Sequence, residues 1–88
     1  MTRTRLVIIG FGRLGRACAT ALRDSRDLEL AGVVMRSQAT TALADPFGHV
    51  SVAGHVRDLP GVNAALVCVP ADQVLGIARE VLQQRLPV

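Results

Sequence analysis

Apolar residues along this chain follow two spacings in turn, and the change of spacing predicts strands and helices in alternation. Arg5-Leu6-Val7-Ile8-Ile9 is a short, almost continuous apolar run rich in β-branched residues, and it stops at Gly10. Such a run predicts a strand buried on both faces. From Leu14 the period changes. Leu14, Ala17, Cys18, Ala21 and Leu22 fall at i, i+3, i+4, i+7 and i+8, with Arg13, Arg16, Thr20 and Arg23 on the other side. That stripe predicts an amphipathic helix of about three turns, ended by Asp24-Ser25-Arg26-Asp27. Leu28 to Val34 reads as a second strand closed by Arg36-Ser37.

Residues 38–49 carry a weaker pattern. A helical turn is expected around Thr41 to Ala44, broken at Asp45-Pro46. Val50-Ser51-Val52 predicts a brief third strand, and Arg57 to Gly61 a turn with one helical turn inside. Ala64 to Val69 is apolar throughout and predicts a fourth strand stopped by Pro70. Val74, Leu75, Ala78, Val81 and Leu82 then recur at helical spacing, with Asp72 suited to the helix start as a cap or a first-turn carboxylate. Gly76 inside this helix costs about 1 kcal/mol relative to Ala. Leu86-Pro87-Val88 resembles the approach to another strand. Alternating elements of these lengths predict a parallel sheet with right-handed crossovers.

Gly10-Phe11-Gly12-Arg13-Leu14-Gly15 fits G-x-G-x-x-G. The pattern gains meaning from its setting, since a strand ends directly before it and a helix opens inside it. Gly10 lets the chain turn sharply, Gly12 admits a pyrophosphate to the backbone, and Gly15 allows close packing of helix on strand. The first amides of the helix then face the phosphates, and the helix dipole favours their charge. The arrangement is a Rossmann-like α/β unit with strand order 3-2-1-4 and helices on both faces. A P-loop is excluded because no GK[ST] element is present. A methyltransferase usually wants an acidic residue at the end of the second strand, and none stands there.

That missing acid distinguishes between cofactors. An NAD site uses Asp or Glu about 20 residues beyond the glycines to bind the ribose hydroxyls. Here the strand ends Val34-Met35-Arg36-Ser37. An arginine pairs with a 2′-phosphate and its flat guanidinium can lie on adenine, while Ser37 adds a hydroxyl. The expected cofactor is therefore NADP. Cys68-Val69-Pro70 ends the fourth strand beside the next helix, where ligands of open parallel sheets sit. The candidate cofactor-binding residues are thus Gly10, Phe11, Gly12, Arg13, Leu14, Gly15, Arg36, Ser37, Cys68, Val69 and Pro70. Arg16 faces away from the apolar stripe and reads as a surface arginine.

Composition narrows the function classes. The 88 residues make at most one small domain, half apolar, with two Phe and neither Tyr nor Trp. A core of Val, Leu, Ile and Ala suits a doubly covered parallel sheet. The formal charge is +3 and all ten basic residues are Arg, scattered singly from Arg3 to Arg85. With no stacking aromatics among them, nucleic-acid binding is not expected. The apolar stretch Leu6 to Ile9 is far too short for a signal peptide or membrane span, so the expected location is cytoplasmic. Cys18 and Cys68 have neither metal-like nor CxxC spacing and read as buried free thiols. Nothing near Cys68 would activate it as a nucleophile. His49 and His55 read as loop histidines. No metal site and no catalytic residue is identified.

Residues 5–16, with Gly10-Phe11-Gly12-Arg13-Leu14-Gly15, and the stretch Asp27-Leu28-Glu29-Leu30-Ala31-Gly32-Val33-Val34-Met35-Arg36 resemble the N-terminus of the meso-diaminopimelate dehydrogenases. The resemblance is best over residues 5–36 and thinner to 69. It implies an NADP-dependent enzyme that oxidatively deaminates a small amino acid. That family commonly has two arginines at the end of strand two; here only Arg36 matches, with Ser37 in the second place. Its fourth strand ends in a Cys-Met-Gly-Ser-like run, whereas Cys68-Val69-Pro70-Ala71 looks more like the glucose–fructose oxidoreductase type. The family holds its amino-acid or oxo-acid substrate through a later domain, whose positions are absent here.

In the order 3-2-1-4 the fourth strand is an edge, yet it is apolar like a central strand, and edges normally carry charge, Pro or bulges. Residues 1–88 are therefore expected to be the N-terminal portion of a longer dinucleotide-binding domain, or to pair with another chain in a homo-oligomer. Two other readings are a nucleotide-sensing regulatory module and a fragment without activity of its own.

Overall fold

The computed structural model describes residues 3–35, 43 and 47–88. Its elements are β1 (Thr4–Ile9), α1 (Arg13–Leu22), β2 (Leu28–Val34), β3 (Ser51–Ala53), a 3-10 turn (Val56–Asp58), β4 (Ala64–Val67) and α2 (Ala71–Gln83). The strands form one parallel sheet in the order β3-β2-β1-β4. The expected topology is the one observed.

β1 occupies the middle, and its side chains divide the core as strand alternation requires. Val7 and Ile9 join Val34, Ala65, Ile77 and Val81 under α2. Ile8 joins Val33, Ala19 and Leu22 under α1, where Leu43, Phe47 and Val50 extend the cover. β2 keeps its apolar residues on these faces through one irregularity. Leu6 pairs with Leu30 but Val7 pairs with Gly32, so Ala31 is an extra residue against β1. The bulge switches the parity of the strand. Leu28, Leu30 and Val33 consequently share the α1 face, although strict alternation would place Val33 opposite. This accounts for the uneven apolar spacing of that segment.

The ends of the elements are tied by short-range chemistry. Ser25 accepts from the Leu28 amide through its Oγ at 3.0 Å, and Arg3 donates to the carbonyls of Ser25 and Leu28 at 2.8 and 2.7 Å. Pro70 is the N-cap of α2 and offers no side-chain cap, while Asp72 lies in the first turn, where the helix dipole favours its carboxylate.

Four expectations need correction or lie elsewhere. The third strand runs one residue later than expected, over Ser51–Ala53. The fourth strand stops at Val67 rather than Val69, because the chain leaves the sheet to reach Pro70 and α2. The buried stripe of α1 is Gly15, Ala19 and Leu22, with Cys18 half-buried, while Leu14 is 62% exposed and Ala17 and Ala21 are also outside. The close seating of Gly15 on the backbone at Gly10 sets this rotation. The turn expected at Thr41 to Ala44 and the break at Asp45-Pro46 lie outside the described residues, apart from the buried Leu43.

β4 is an edge in the sheet, with Leu66 38% exposed. The amide of Ala65 nevertheless donates to the Pro87 carbonyl at 2.8 Å, so residues after α2 return to the outer side of β4. On α2, Ile77 and Val81 are buried, whereas Leu75 and Leu82 are exposed.

These environments predict opposite effects from two alanines. Ile8, wholly buried between β1's neighbours and α1, loses about 2–5 kcal/mol of stability on replacement by Ala. Gly76→Ala gains about 0.5–1 kcal/mol, because a Cβ there meets nothing within 4 Å and helix entropy improves. Urea unfolding of the two variants measures both.

Candidate functional site

Three strand ends are level. Ile9, the last residue of β1, pairs with Val34 on one side and Val67 on the other. The next residues stay tied: the Gly10 amide donates to the Val34 carbonyl at 2.9 Å, and the Cys68 amide to the Ile9 carbonyl at 2.8 Å. Above this edge opens a cleft of about 370 Å³. Gly10, Phe11 and Gly12 form one wall, and Cys68, Val69 and Pro70 the other. Ile9, Val34 and Met35 make the floor, with Gln73 and Ile77 of α2 completing it.

The three glycines meet different surroundings. Gly10 has φ +92°, and a Cβ there would strike the Cys68 carbonyl oxygen and come within 2.9 Å of Val69 Cγ1. A side chain is excluded by conformation and by space. At Gly15 a Cβ would strike the Gly10 carbonyl oxygen. At Gly12 a Cβ would meet nothing within 4 Å. The first and third glycines are therefore required by the fold itself, while the protein leaves the space at the second free.

Gly12 is the N-cap of α1 and supplies no side-chain cap. The first helical bond runs from the Arg16 amide to the Gly12 carbonyl at 3.0 Å, so the amides of Arg13, Leu14 and Gly15 precede the intrahelical ladder. The first turn has no acidic residue, but it holds Arg13 and is followed by Arg16. Cations at the positive end of a helix each cost about 0.3–1 kcal/mol. An anion at this end reverses that cost and also receives the free amides.

Around the turn, Phe11 is held from two sides. Its ring meets Phe47 edge-on with centroids 5.6 Å apart and planes at 84°. Arg16 Cζ lies 5.5 Å from the Phe11 centroid. Arg16, expected to be a plain surface arginine, thus caps the ring by a cation–π contact worth about 0.5–1 kcal/mol at an exposed site.

Cys68 is half-buried, and burial pushes its thiol above the usual pKa. The nearby Cys18 thiol adds to the effect. Cys68 is therefore a protonated thiol at neutral pH, as the sequence implies. His55 accepts from the Arg57 amide through Nδ1 at 3.1 Å, and its Nε2 lies 3.8 Å from Glu80 Oε2. That is a structural position away from the cleft. His49 lines a second groove between α1 and β2.

Of the residues expected at the site, Gly10, Phe11, Gly12, Cys68, Val69 and Pro70 come together around the cleft. Gly15 stands behind the turn rather than in the cleft, and Arg13 and Leu14 are exposed beside it. Arg36 and Ser37 lie outside the described residues; Met35, directly before them, lines the cleft. Sequence reasoning missed Ile9, Val34, Met35, Gln73 and Ile77. The first three follow from the rule that ligands sit at the carboxyl ends of parallel strands. Gln73 and Ile77 had no signal beyond their position early in α2.

A parallel α/β sheet with an open, glycine-lined helix start at level strand ends defines a dinucleotide-binding domain of the Rossmann class. The particular family follows from sequence comparison. The chain belongs to the oxidoreductase family with an NAD-binding Rossmann fold, whose profile matches residues 4–88. It is also 35% identical over 82 residues, 93% of its length, to a meso-diaminopimelate D-dehydrogenase of Bacteroides fragilis. The chain spans 27% of the length of that relative. No described helix is long and apolar enough to cross a membrane.

The contrast between glycines predicts separable effects. Gly12→Ala costs no more stability than the change of an N-cap residue, about 1 kcal/mol, and weakens dinucleotide binding at least tenfold, about 1.4 kcal/mol, as the new methyl occupies the open space. Gly15→Ala lowers stability by about 1–3 kcal/mol, because the backbone at Gly10 must move. Thermal melts beside cofactor titrations distinguish the two.

Proposed function

We propose that this chain holds NADP(H) across the ends of β1, β2 and β4 as the N-terminal portion of a cytoplasmic NADP-dependent dehydrogenase. The observation that carries the reading is the start of α1, where open space at Gly12 meets three amides outside the helical ladder in a first turn without acidic residues. In this reading the pyrophosphate lies over Gly12 and accepts from the amides of residues 13–15. Gly10 and Phe11 shape the turn, Arg13 adds charge, and Leu14 and Gly15 complete the first helical turn. Cys68, Val69 and Pro70 form the opposite wall, toward the nicotinamide ribose. The nicotinamide, when bound, supplies hydride transfer.

The choice of NADP rests on Arg36. It is the residue after Met35, which lines the cleft, and no acidic side chain stands between Val34 and Ser37 to repel a 2′-phosphate. Ser37 adds a hydroxyl donor. The reaction proposed is oxidative deamination of a small amino acid, or its reverse on an oxo acid, in keeping with the similarity to the Bacteroides fragilis meso-diaminopimelate D-dehydrogenase. Substrate contacts come from residues outside these 88, and the working protein is a homo-oligomer. The partial cover of β4 by Pro87 supports a sheet that extends beyond four strands.

Calorimetric titration with NADPH and NADH tests the proposal. NADPH binds the tighter of the two. Arg36→Ala loses about 1.5–3 kcal/mol of NADPH binding, the worth of a hydrogen bond to a charged group, and leaves NADH little changed. Equal affinity for both cofactors in the unaltered chain contradicts the assignment to NADP, and no binding of either contradicts the function.

A further inference from the structure

The two helix starts beside the cleft differ in charge. The first turn of α1 holds Arg13 and no acid, whereas the first turn of α2 holds Asp72. An anion is therefore favoured at α1, and a neutral polar group at α2, where a carboxylate already answers the dipole. Gln73 follows Asp72 and lines the cleft. Among the described lining residues it is the only one whose side chain both donates and accepts conventional hydrogen bonds. The others are aliphatic, aromatic or glycine, apart from the weakly bonding sulfurs of Met35 and Cys68.

Gln73 occupies a position on α2 that further along the helix belongs to the core. Gln73, Ile77 and Val81 fall at i, i+4 and i+8 and so share one side of the helix. Ile77 and Val81 are buried against the sheet. Gln73 is exposed: β4 has ended at Val67 before α2 begins at Ala71, and the first turn stands beyond the strand. The stripe thus turns polar where it passes from the core to the cleft. The backbone amide of Gln73 donates to the Pro70 carbonyl at 2.9 Å, which holds the first turn. Its side-chain carboxamide has no hydrogen-bond partner among the described residues.

We infer that the Gln73 carboxamide hydrogen-bonds a hydroxyl of the nicotinamide ribose and so holds that end of the dinucleotide against α2. Resting on the proposed dinucleotide site, this contact adds a residue to it. A ribose hydroxyl donates and accepts as a carboxamide does, and it carries no charge for Asp72 to repel. The phosphates are served across the cleft by Gly12 and the amides of residues 13–15. Gln73 stands on the wall of Val69 and Pro70, toward the ribose.

The test titrates the chain with NADPH and with adenosine 2′-phosphate 5′-diphosphate, which keeps two linked phosphates and lacks the nicotinamide ribose. Gln73→Leu weakens NADPH binding about two- to tenfold, the worth of one neutral hydrogen bond, and leaves the diphosphate unchanged. It does not lower the melting temperature, since leucine continues the apolar stripe. In the unaltered chain the Gln73 side-chain NH2 resonance shifts saturably with NADPH and stays in place with the diphosphate. Equal weakening of both ligands by Gln73→Leu, unchanged NADPH affinity, or a shift of that resonance with both ligands overturns the Gln73 contact and leaves the dinucleotide site standing. Binding of neither ligand by the unaltered chain overturns the dinucleotide site and the Gln73 contact with it.

Discussion

The backbone at Gly10 lies against two other backbone segments, and the mouth of the cleft depends on that proximity. On one side the Cys68 carbonyl fills the space of a Gly10 side chain, and on the other Gly10's own carbonyl fills that of Gly15. Main-chain hydrogen bonds from Gly10 to Val34 and from Cys68 to Ile9 hold the same junction. Three strands and one helix are thereby brought to a single level. The start of α1 is placed at the mouth of the cleft, which Gly12 lines.

The charges follow from this placement. A helix whose first turn has no acid and whose neighbourhood has two arginines is poorly matched to its own dipole. The mismatch is small in energy and specific in position, and an anion over Gly12 relieves it. Arg16 is held meanwhile over Phe11, and Phe11 against Phe47. The aromatic pair ties the glycine turn to Phe47, on the approach to β3.

Much of this was legible in the sequence, and the misreadings have physical causes. The run Leu6 to Ile9, the glycine spacing and the second apolar run specify a β-turn-α-β unit, and the order 3-2-1-4 follows from the Rossmann arrangement that unit implies. Helix rotation did not follow. Apolar periodicity alone favoured Leu14, Ala17 and Ala21 as buried, whereas Gly15 must face the sheet and turns them outward. The bulge at Ala31 appeared only as uneven spacing in β2. Gln73 and Ile77 reach the cleft through the packing angle of α2, a tertiary property that local pattern does not encode.

The central claim is that phosphate binds at the start of α1, and an amide-resolved NMR titration with NADPH tests it most directly. Saturable shifts concentrated on the amides of residues 12–15, with smaller ones at Met35 and Val69, are the expected result. Saturable shifts confined to the groove beside His49, or no saturable shift at residues 12–15, would contradict it.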